Sequence, residues 1–530
     1  MTNVHITNSM TAFKYTAITF APVQGFIEKS RKLRDLYGAS LILSHLSKKI
    51  VDAANQQPHI EVISPGLPSV EKGMPNRILI KGEFSEKDAR ETLLSAWKTI
   101  LKECRYWIEK NLPIYEYHWE REWTNWGNYA WEIFWGTGES IQAAMDDLET
   151  RKLSRGWTGV NWIGESSSLT GTDAIAFPGL GAEQRNPNHR NWTVEKNDIK
   201  TFYEQLSCLL ENLPLNSKPK GKFLSPEEKL SIPELVKRLV TRQDISETVG
   251  MSGLEEGFQE IYRRPEVKHQ QGEGRWTGWF MGDGDKVGDH LKKLAQEKDG
   301  GIKEFSEAMR DWGKKFSDEF PKELGRIVYA GGDDFLGAIF SEKEKEPIKT
   351  QDVLTWLMKF PQKWQEHGRK ITVSVGFVWA GHSVPQRDVL QHCRQAEKVA
   401  KSLGRNRVTI RIVFNSGQYV QWTCPWDYLD ILSKYQDREG QKNWSHIYND
   451  LAQLQARRAF NTDKKTYEEK FIQEFFDIYF PGEGKKLSEY EFAKYIVGFS
   501  DDDDGYERAK ATIDWMSDLI HVGWHLCLNT

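Results

Sequence analysis

The sequence is poor in cysteine and has no long apolar run. Its five cysteines, Cys104, Cys208, Cys393, Cys424 and Cys527, are scattered without a Cys-x-x-Cys pair, which argues against a disulfide framework and a thiolate zinc site. No apolar stretch approaches the roughly 18 residues of a membrane-spanning helix. The N-terminus lacks the charged and then apolar segments of a secretion signal. These absences predict a cytoplasmic protein without a membrane segment.

An excess of positive charge is also missing. Lys and Arg total 72 against 76 Asp and Glu, which gives a net charge of -4 and excludes a uniformly basic nucleic-acid coat but not a local basic groove. Tryptophan, by contrast, is abundant at 21 residues. The run Trp119, Trp123, Trp126, Trp131 and Trp135 could stack on nucleic-acid bases, but core or interface packing is the favoured interpretation.

Alternation of strand and helix patterns predicts the organisation of the 530 residues. A strand at 13–20 and a helix at 26–54 open a first α/β unit. Residues 156–193 are dense in Gly, Ser, Thr, Asn and Pro, which is typical of an irregular insert, and Pro214 to Pro226 is interpreted as a linker. Only helical patterns follow Pro425.

The second half shows the clearer pattern, which is a strand at 276–281, helices, a hairpin at 326–340, and further helices and strands up to 413. This order is that of a ferredoxin-like palm with additions. The predicted fold class is therefore α/β (α+β), with two ferredoxin-like palm domains, an irregular insert and a C-terminal helical domain. The predicted boundaries are 1–155 for a first, degenerate palm, 156–270 for the insert and linker/helical domain, 271–415 for the catalytic palm and 416–530 for the C-terminal helices.

Two short acidic turns in the second palm carry the candidate chemistry. Asp283 ends a strand, and Asp333 with Asp334 sits in the hairpin turn Gly331-Gly332-Asp333-Asp334. If the two strands are adjacent, the three carboxylates converge and can hold divalent cations for hydroxyl attack on a nucleoside triphosphate. A solvated hairpin turn would also explain Gly-Gly-Asp-Asp taken alone, but the second acidic turn favours a metal site.

The glycines of these turns have a mechanical interpretation. Gly331 and Gly332 can adopt positive φ in a tight turn, while Gly282 and Gly284 allow a phosphate to approach the backbone closely. The next helix would direct its N-terminal amides towards that phosphate. Asp285 is either a helper at this site or simply the N-terminal cap of that helix.

A third element is the sequence Ala-Lys-x-x-Gly-Arg-Asn, which contains Lys401, Gly404, Arg405 and Asn406. It ends a predicted helix and offers two cations one helical turn apart. A basic helix C-terminus with a glycine stop is the alternative explanation.

Together these motifs resemble the nucleotidyl cyclase palm shared with GGDEF-type diguanylate cyclases. The N-terminal stretch from Pro22-Val23-Gln24-Gly25-Phe26 to Leu36-Tyr37-Gly38-Ala39-Ser40 resembles the first palm of the large subunit of type III CRISPR effector complexes, most closely the Cmr-type branch. The resemblance implies polymerisation of ATP into cyclic oligoadenylate messengers when a CRISPR RNA pairs with target RNA.

The same resemblance implies roles and partners. Asp283, Asp333 and Asp334 match metal-binding carboxylates for Mg²⁺ or Mn²⁺, and Lys401 and Arg405 match triphosphate-binding cations. The implied partners are other effector subunits, the CRISPR RNA and target RNA, with no membrane. The alternatives are a catalytically silent scaffold subunit and a free-standing diguanylate cyclase, which the tandem palms disfavour.

The sequence departs from the family in three places. Long members begin with an HD-type nuclease domain, but none of the thirteen histidines here is followed by Asp, so we expect no HD nuclease activity. Members often carry a cysteine zinc site between the palms, whereas Gly156 to Gly181 contains no cysteine, so no zinc is expected. The first strand ends at Ala21-Pro22-Val23 without a carboxylate, so a single catalytic metal site is expected, in the second palm.

Two charged clusters stay open at this stage. The basic residues Arg31, Lys32 and Arg34 either face RNA or ATP or form one solvated helix face. Asp501 to Asp504 is interpreted as a solvated loop that caps the next helix rather than as a cation site.

Overall fold

The structure is a computed structural model that describes residues 14–67, 73–155, 162, 164–182, 188, 191–254, 258–261, 263, 274–297, 300–343, 346–459 and 469–527. The chain divides into two compact units. Unit 1 comprises Met1–Phe258 and Gly288–Arg310, and unit 2 comprises Gln259–Val287 and Asp311–Thr530. Within the described ranges, no helix is both long and apolar enough to cross a membrane.

Unit 1 is built on a four-stranded antiparallel sheet. Its strands are β1 (Tyr15–Ala21), β2 (Glu61–Ser64), β3 (Ile78–Lys81) and β4 (Glu132–Gly138), and they lie in the order β2-β3-β1-β4. Its helices are α1 (Val23–Glu28), α2 (Leu33–Asn55), α3 (Glu86–Asn111), α4 (Glu120–Tyr129), α5 (Ile141–Leu153), α6 (Trp192–Leu210), α7 (Ile232–Leu239) and α8 (Gln243–Val249). This strand order, with helices after the first and third strands, is the ferredoxin-like arrangement that the sequence predicts.

One hydrophobic core joins the sheet of unit 1 to helices α6 to α8. The segment interpreted as a linker belongs to this core, since Leu224 is fully buried and Phe223 packs against the core. The backbone amides of Lys220 and Lys222 donate to Glu211. The linker interpretation is therefore wrong for the described residues of this segment.

The tryptophan run of unit 1 is core packing, as favoured from the sequence. Trp119, Trp123 and Trp131 are buried, and the Trp119 and Trp123 rings meet edge to face at 5.5 Å. The Trp119 indole nitrogen donates to Glu109 at 2.8 Å. Trp135 is partly buried and donates to a backbone carbonyl. A buried indole that finds an acceptor contributes area to a core without leaving its N–H unpaired.

Of the basic residues at the start of α2, Arg34 packs inside unit 1, whereas the Arg31 side chain is exposed. Arg34 is buried, with its guanidinium 3.8 Å from the centre of the Phe223 ring. Lys32 lies 3.6 Å and Arg31 3.9 Å from the Glu228 carboxylate. Neither of the two interpretations left open by the sequence describes Arg34, whose side chain packs within the unit.

A buried ion-pair network fastens α2 to α7. Arg238 donates at 2.6 Å to Asp35 and at 2.6 Å to Glu228, and all three side chains are almost completely buried. Burial alone would raise the pKa of Asp35, but the adjacent Arg238 and Lys237 lower it to about 2. Asp35 therefore has a structural role in unit 1.

Unit 2 contains a six-stranded sheet in the order β10-β9-β8-β5-β7-β6. The strands are β5 (Thr277–Gly284), β6 (Gly325–Ala330), β7 (Asp334–Ile339), β8 (Val373–Ala380), β9 (Arg407–Val413) and β10 (Tyr419–Pro425). Strands β8-β5-β7-β6 form the ferredoxin-like core, and β9 extends it parallel to β8. The prediction of a second palm is confirmed.

The remaining helices connect or cover these strands. After β5 the chain forms α9 (Val287–Glu297) and α10 (Gly301–Asp318), of which residues 288–310 belong to unit 1. Helices α11 (Thr350–Gln365) and α12 (Gln386–Ser402) follow the hairpin and β8. The C-terminal helices are α13 (Ile431–Lys434), α14 (Ser445–Ala456), α15 (Glu469–Tyr479), α16 (Gly484–Leu487), α17 (Tyr490–Val497) and α18 (Gly505–Cys527).

The last strand was not anticipated from the sequence. Strand β10 pairs antiparallel with β9 from Tyr419 to Pro425, within the range 416–530 that was predicted to hold only the C-terminal helices. Helices α17 and α18 pack on β10, and the Trp515 indole donates to the Thr423 carbonyl at 2.8 Å. The C-terminal helices are therefore in direct contact with the sheet that carries the acidic turns.

The Asp501 to Asp504 loop is a capping segment, as interpreted from the sequence. The Glu507 amide donates to the Asp504 side chain at 2.8 Å, and the Asp504 amide donates back to Glu507 at 3.2 Å. This reciprocal pair is a capping box at the start of α18. Asp501 accepts from Tyr490 at 2.8 Å.

Candidate active site

Asp283 and Asp334 face each other across neighbouring antiparallel strands. They are direct register partners of β5 and β7, and directly opposed residues share one face of a sheet with Cβ atoms about 5 Å apart. The strand β5 extends to Gly284, so Gly282, Asp283 and Gly284 lie in the strand itself rather than in the turn expected after residue 281. The predicted adjacency of the two acidic segments is present.

Asp333 lies at the tip of the hairpin beside the same strand end. The Gly331 amide donates to the Asp334 carbonyl at 3.0 Å and closes a two-residue loop, while the Gly284 amide donates to the Asp333 carbonyl at 2.9 Å. Gly332 has a φ of 157°, which non-glycine residues rarely adopt. A Cβ atom at 284 would lie 3.2 Å from the Asp333 Cβ. The loop thus brings a third carboxylate to the end of β5.

Gly282 leaves room for a neighbouring aromatic ring. A Cβ atom there would lie 2.2 Å from the Phe335 ring, so the missing side chain makes room for that ring, a reason different from the phosphate approach expected from the sequence. Phe335 contacts an aromatic cluster through ring centroids 5.4 to 6.3 Å away. The cluster consists of Phe280, Trp312, Phe316, Phe360 and Trp364. This aromatic cluster packs around Phe335, the residue that follows Asp334 in the hairpin.

Lys401 lies in the last turn of α12 and contacts two carboxylates. Its ammonium group donates to Asp283 and lies 2.6 Å from Glu397, one helical turn earlier. Burial raises the pKa of Asp283, and Lys401 only partly opposes this rise. Burial also lowers the pKa of Lys401, but its hydrogen bonds to Asp283 and Glu397 outweigh that effect and the net shift is upward. Lys401 therefore stays cationic beside the acidic pair.

Asp285 is almost completely buried and holds three chain segments together. Its side-chain oxygens accept from the Thr372 hydroxyl at 2.7 Å, from the Ser374 hydroxyl at 2.6 Å and from the Asn406 amide at 2.9 Å. Its own amide donates to the Thr372 carbonyl at 2.8 Å. Contact of Asp285 with a nucleotide stays a prediction, because both oxygens are engaged in these bonds.

Arg405 lies in the turn between α12 and β9. The turn is unusual because Gly404, Arg405 and Asn406 have φ values of 120°, 65° and 50°, and such residues are held in place by their surroundings. The Arg405 amide donates to the Ala400 carbonyl at 3.1 Å. The turn carries Arg405 one turn beyond Lys401, and its role as a phosphate ligand stays a prediction.

Two further residues of the site were missed in the sequence. Glu397 is buried against Lys401, and a Glu four residues before a Lys on a helix was the available signal. Burial and the nearby Asp334, Asp283 and Glu397 raise the pKa of Tyr329 well above its usual value. Its hydroxyl is therefore a neutral donor among acids, and a lone Tyr at a strand end gives no sequence signal.

The donor set fits a divalent cation shared with a substrate. Mg²⁺ is commonly held by one or two carboxylates together with phosphate oxygens and water, and Asp283 with Asp334 supplies such a pair. In the part of the chain that the structure describes, no group of three or more His, Cys, Asp or Glu side chains forms a complete metal cage.

The first palm lacks this constellation. Ala21 is the seventh residue of β1, as Asp283 is of β5, and it offers no carboxylate. Strand β2 ends at Ser64 and β3 begins at Ile78, so no two-residue acidic loop joins them. The chemistry of the chain is therefore expected from unit 2.

Comparison with protein families and known proteins gives two family matches. Residues 277–409 match the model described as Cas10/Cmr2, second palm domain, and residues 15–102 match the one described as CRISPR-associated protein Cmr2, N-terminal. The first match contains every candidate site residue named above. A search of curated proteins finds no match.

Solved structures share the fold at low sequence identity. The apo-state cryo-EM structure of a type III-B Cmr-beta complex contains a chain that is 11% identical, with 96% of this chain and 82% of that chain covered and a TM-score of 0.59. The apo Csm1-Csm4 cassette matches at 12% identity over 98% of this chain and 70% of that chain, with a TM-score of 0.48. The match to the Cmr-beta chain shows a common fold and nothing further.

Proposed function

Because the chain is a Cas10/Cmr2-type subunit of type III CRISPR complexes, we propose that it is a metal-dependent nucleotidyltransferase that converts ATP into cyclic oligoadenylates. The observation that carries the proposal is the register pairing of Asp283 with Asp334 and the contact of Lys401 with Asp283. Two acids held face to face repel each other, and a purely structural sheet end has no need of them.

The residues of unit 2 supply distinct parts of the reaction. Asp283 and Asp334, with Asp333 beside them, would hold Mg²⁺ or Mn²⁺, which neutralises phosphate charge and lowers the pKa of the attacking hydroxyl. Lys401 reaches the same carboxylate and would exchange Asp283 for phosphate oxygens when ATP binds, while Glu397 keeps its ammonium group in place. Arg405 would provide a second phosphate contact. The step joins a 3′-hydroxyl of one ATP to the α-phosphate of another and releases pyrophosphate.

The proposed setting is a cytoplasmic ribonucleoprotein complex. The other effector subunits, the CRISPR RNA and the target RNA are the proposed partners, and pairing between the two RNAs is the proposed trigger. The chain's own charge balance of -4 fits contact with RNA over limited basic regions rather than over a whole surface.

The test uses the assembled complex with cognate target RNA, Mg²⁺ and either ATP or GTP. Cyclic oligoadenylates should form from ATP, and cyclic diguanylate should not form from GTP. The double change Asp333→Ala and Asp334→Ala should abolish the product and leave assembly intact. As a matched control, Asp502→Ala with Asp503→Ala removes two acids from an exposed loop and should leave product formation unchanged.

A catalytically silent scaffold is the second candidate. In that case the acids would serve the fold, as Asp283 does in its ion pair with Lys401. A well-assembled complex that yields no product from ATP, with either Mg²⁺ or Mn²⁺, would support the scaffold. Loss of assembly in the Asp333→Ala and Asp334→Ala variant would show that these acids are structural.

A further inference from the structure

The turn that follows Lys401 is fastened to the C-terminal helices by one buried arginine. Arg407, the first residue of β9, is 2% exposed. Its Nε donates to the Arg405 carbonyl at 3.0 Å, and its Nη2 donates to the Tyr495 carbonyl at 3.0 Å. The Ile496 carbonyl lies 3.5 Å from Nη1. One guanidinium thus joins the 404–406 turn to the end of α17.

The acceptors on α17 suit a cation. Tyr495 and Ile496 belong to the last turn of that helix, where backbone carbonyls have no partner within the helix and carry partial negative charge. Helix α17 is itself held against the exit of β10, because the Tyr495 hydroxyl donates to Asp427 at 2.8 Å. Arg407 therefore connects the turn to a fixed point rather than to a loose loop.

The close fit of the two surfaces leaves no room for larger residues. A Cβ atom at Gly404 would lie 2.6 Å from the Arg407 guanidinium. A Cβ atom at Gly498, directly after α17, would lie 2.6 Å from the Leu403 carbonyl. Gly404 also has a φ of 120°, which non-glycine residues rarely adopt, so the backbone of the turn itself favours glycine there.

The 404–406 turn is also connected to the acidic site at two points. Its Asn406 amide donates to Asp285 at 2.9 Å, and Asp285 follows Asp283 in the same chain segment. Lys401 lies one helical turn before residue 404 and donates to Asp283. Three consecutive residues with positive φ need such outside support to persist.

We propose that Arg407 is a positioning residue for nucleotide chemistry, which fastens the 404–406 turn to α17 and so sets the meeting point of Lys401 and Asp283. This inference rests on the proposed function for its kinetic consequence, but its structural part stands independently. It gives the C-terminal helices a direct role in the geometry of the palm. Arg407 does not contact the reacting atoms.

The test compares Arg407→Lys with Arg411→Lys in the full chain and in the assembled complex. Arg411 is the matched control because it is buried on the same strand and, four residues on, the same face, but it bonds to His392, Gln395 and Gln421 at the other end. Lysine keeps the positive charge but lacks the planar guanidinium, whose N–H groups reach three backbone carbonyls in the wild type.

Two measurements are expected to separate the variants. In hydrogen exchange of the full chain, peptides covering residues 400–408 should exchange faster in Arg407→Lys than in wild type or Arg411→Lys. In the assembled complex, Arg407→Lys should lower kcat about 10- to 100-fold, as loss of an outer positioning partner typically does, and raise KM for ATP. Arg411→Lys should change neither.

Each outcome has a consequence. If Arg407→Lys matches wild type in both exchange and rate, the inference is overturned. If the wild-type complex makes no product, the proposed function fails, and the exchange comparison alone decides the role of Arg407. If Arg407→Lys melts far below Arg411→Lys, Gly498→Ala is used in its place, because it keeps the guanidinium but separates the same two surfaces. Unchanged hydrogen exchange of residues 400–408 in Gly498→Ala would then overturn the inference.

Discussion

Substitution of Lys401 by methionine tests the arrangement of the site most directly. Methionine keeps the length of the side chain and removes its charge. If Lys401 contacts the triphosphate, the loss of a charge-assisted hydrogen bond costs about 1.5 to 3 kcal/mol, which corresponds to a decrease of about 10- to 150-fold in kcat/KM for ATP. Initial rates of oligoadenylate formation by the assembled complex measure this decrease.

The same substitution has a second effect with a defined sign. Burial raises the pKa of Asp283, and Lys401 opposes this rise while Asp285 adds to it. Without Lys401 the pKa of Asp283 rises further, and because a protonated carboxyl does not hold a cation, activity should be lost at a higher pH on the acid side. The pH profile of kcat/KM should therefore shift its acid limb upward in Lys401→Met.

A matched control distinguishes this effect from a general loss of charge. Lys398→Met makes the same change on an exposed position of the same helix and should leave both the rate and the pH profile unaltered. An acid limb that stays in place in Lys401→Met, together with an unchanged KM for ATP, would refute the assignment of Lys401 to the acidic pair.

Further outcomes are expected for three substitutions and for the pH dependence of stability. Asp285→Ala should lower the free energy of unfolding of unit 2 by about 3 kcal/mol, because three donors lose a charged acceptor, as measured by denaturant titration. Gly282→Ala should lower the free energy of unfolding by about 1 to 3 kcal/mol, because the added methyl group overpacks against Phe335. Adding Phe335→Leu to that variant should recover part of the lost stability. Arg238→Met should cost about 3 to 5 kcal/mol by leaving buried acids unpaired. Because Asp35 has a pKa lowered to about 2 when folded, the wild-type network should stabilise unit 1 above about pH 4 and lose its contribution as the pH falls from about 4 to 2.

These three expectations have their own controls. Arg77→Met removes an arginine whose ion pair with Glu149 is half exposed and should cost at most about 1 kcal/mol. A similar cost for Arg238→Met would contradict the role given to the buried network. Unchanged unfolding of Asp285→Ala would show that its three hydrogen bonds contribute nothing net, and additive effects of Gly282→Ala and Phe335→Leu would show that the two residues do not interact.

The acidic site was largely predictable from the sequence, because its determinants are local. A Gly-Gly-Asp-Asp run between two apolar segments predicts a tight hairpin from turn chemistry alone. The alternation of strands and helices predicts the ferredoxin-like order, and that order alone makes Asp283 a neighbour of the hairpin. These steps need only turn chemistry and the order of elements along the chain.

The supporting residues could not be predicted in this way, since their partners are far apart in the sequence. Arg238 pairs with Asp35, and Arg407 with the carbonyl of Tyr495. Neither pair produces a periodic pattern in the sequence. A buried arginine therefore cannot be distinguished, from the sequence, from one on a solvated face. The strand β10 escaped detection because its outer residues Tyr419, Val420 and Gln421 are only partly covered and give no strong alternation.

The aromatic cluster around Phe335 restricts which movements of the acidic hairpin are possible. Phe335 is locked between five other rings, and close-packed interiors do not deform continuously. The β6–β7 hairpin can therefore shift only as one rigid piece together with its aromatic neighbours. If the proposed catalysis is turned on by target RNA, the signal is expected to act on other neighbours of the acids, such as the end of α12, or on delivery of the nucleotide.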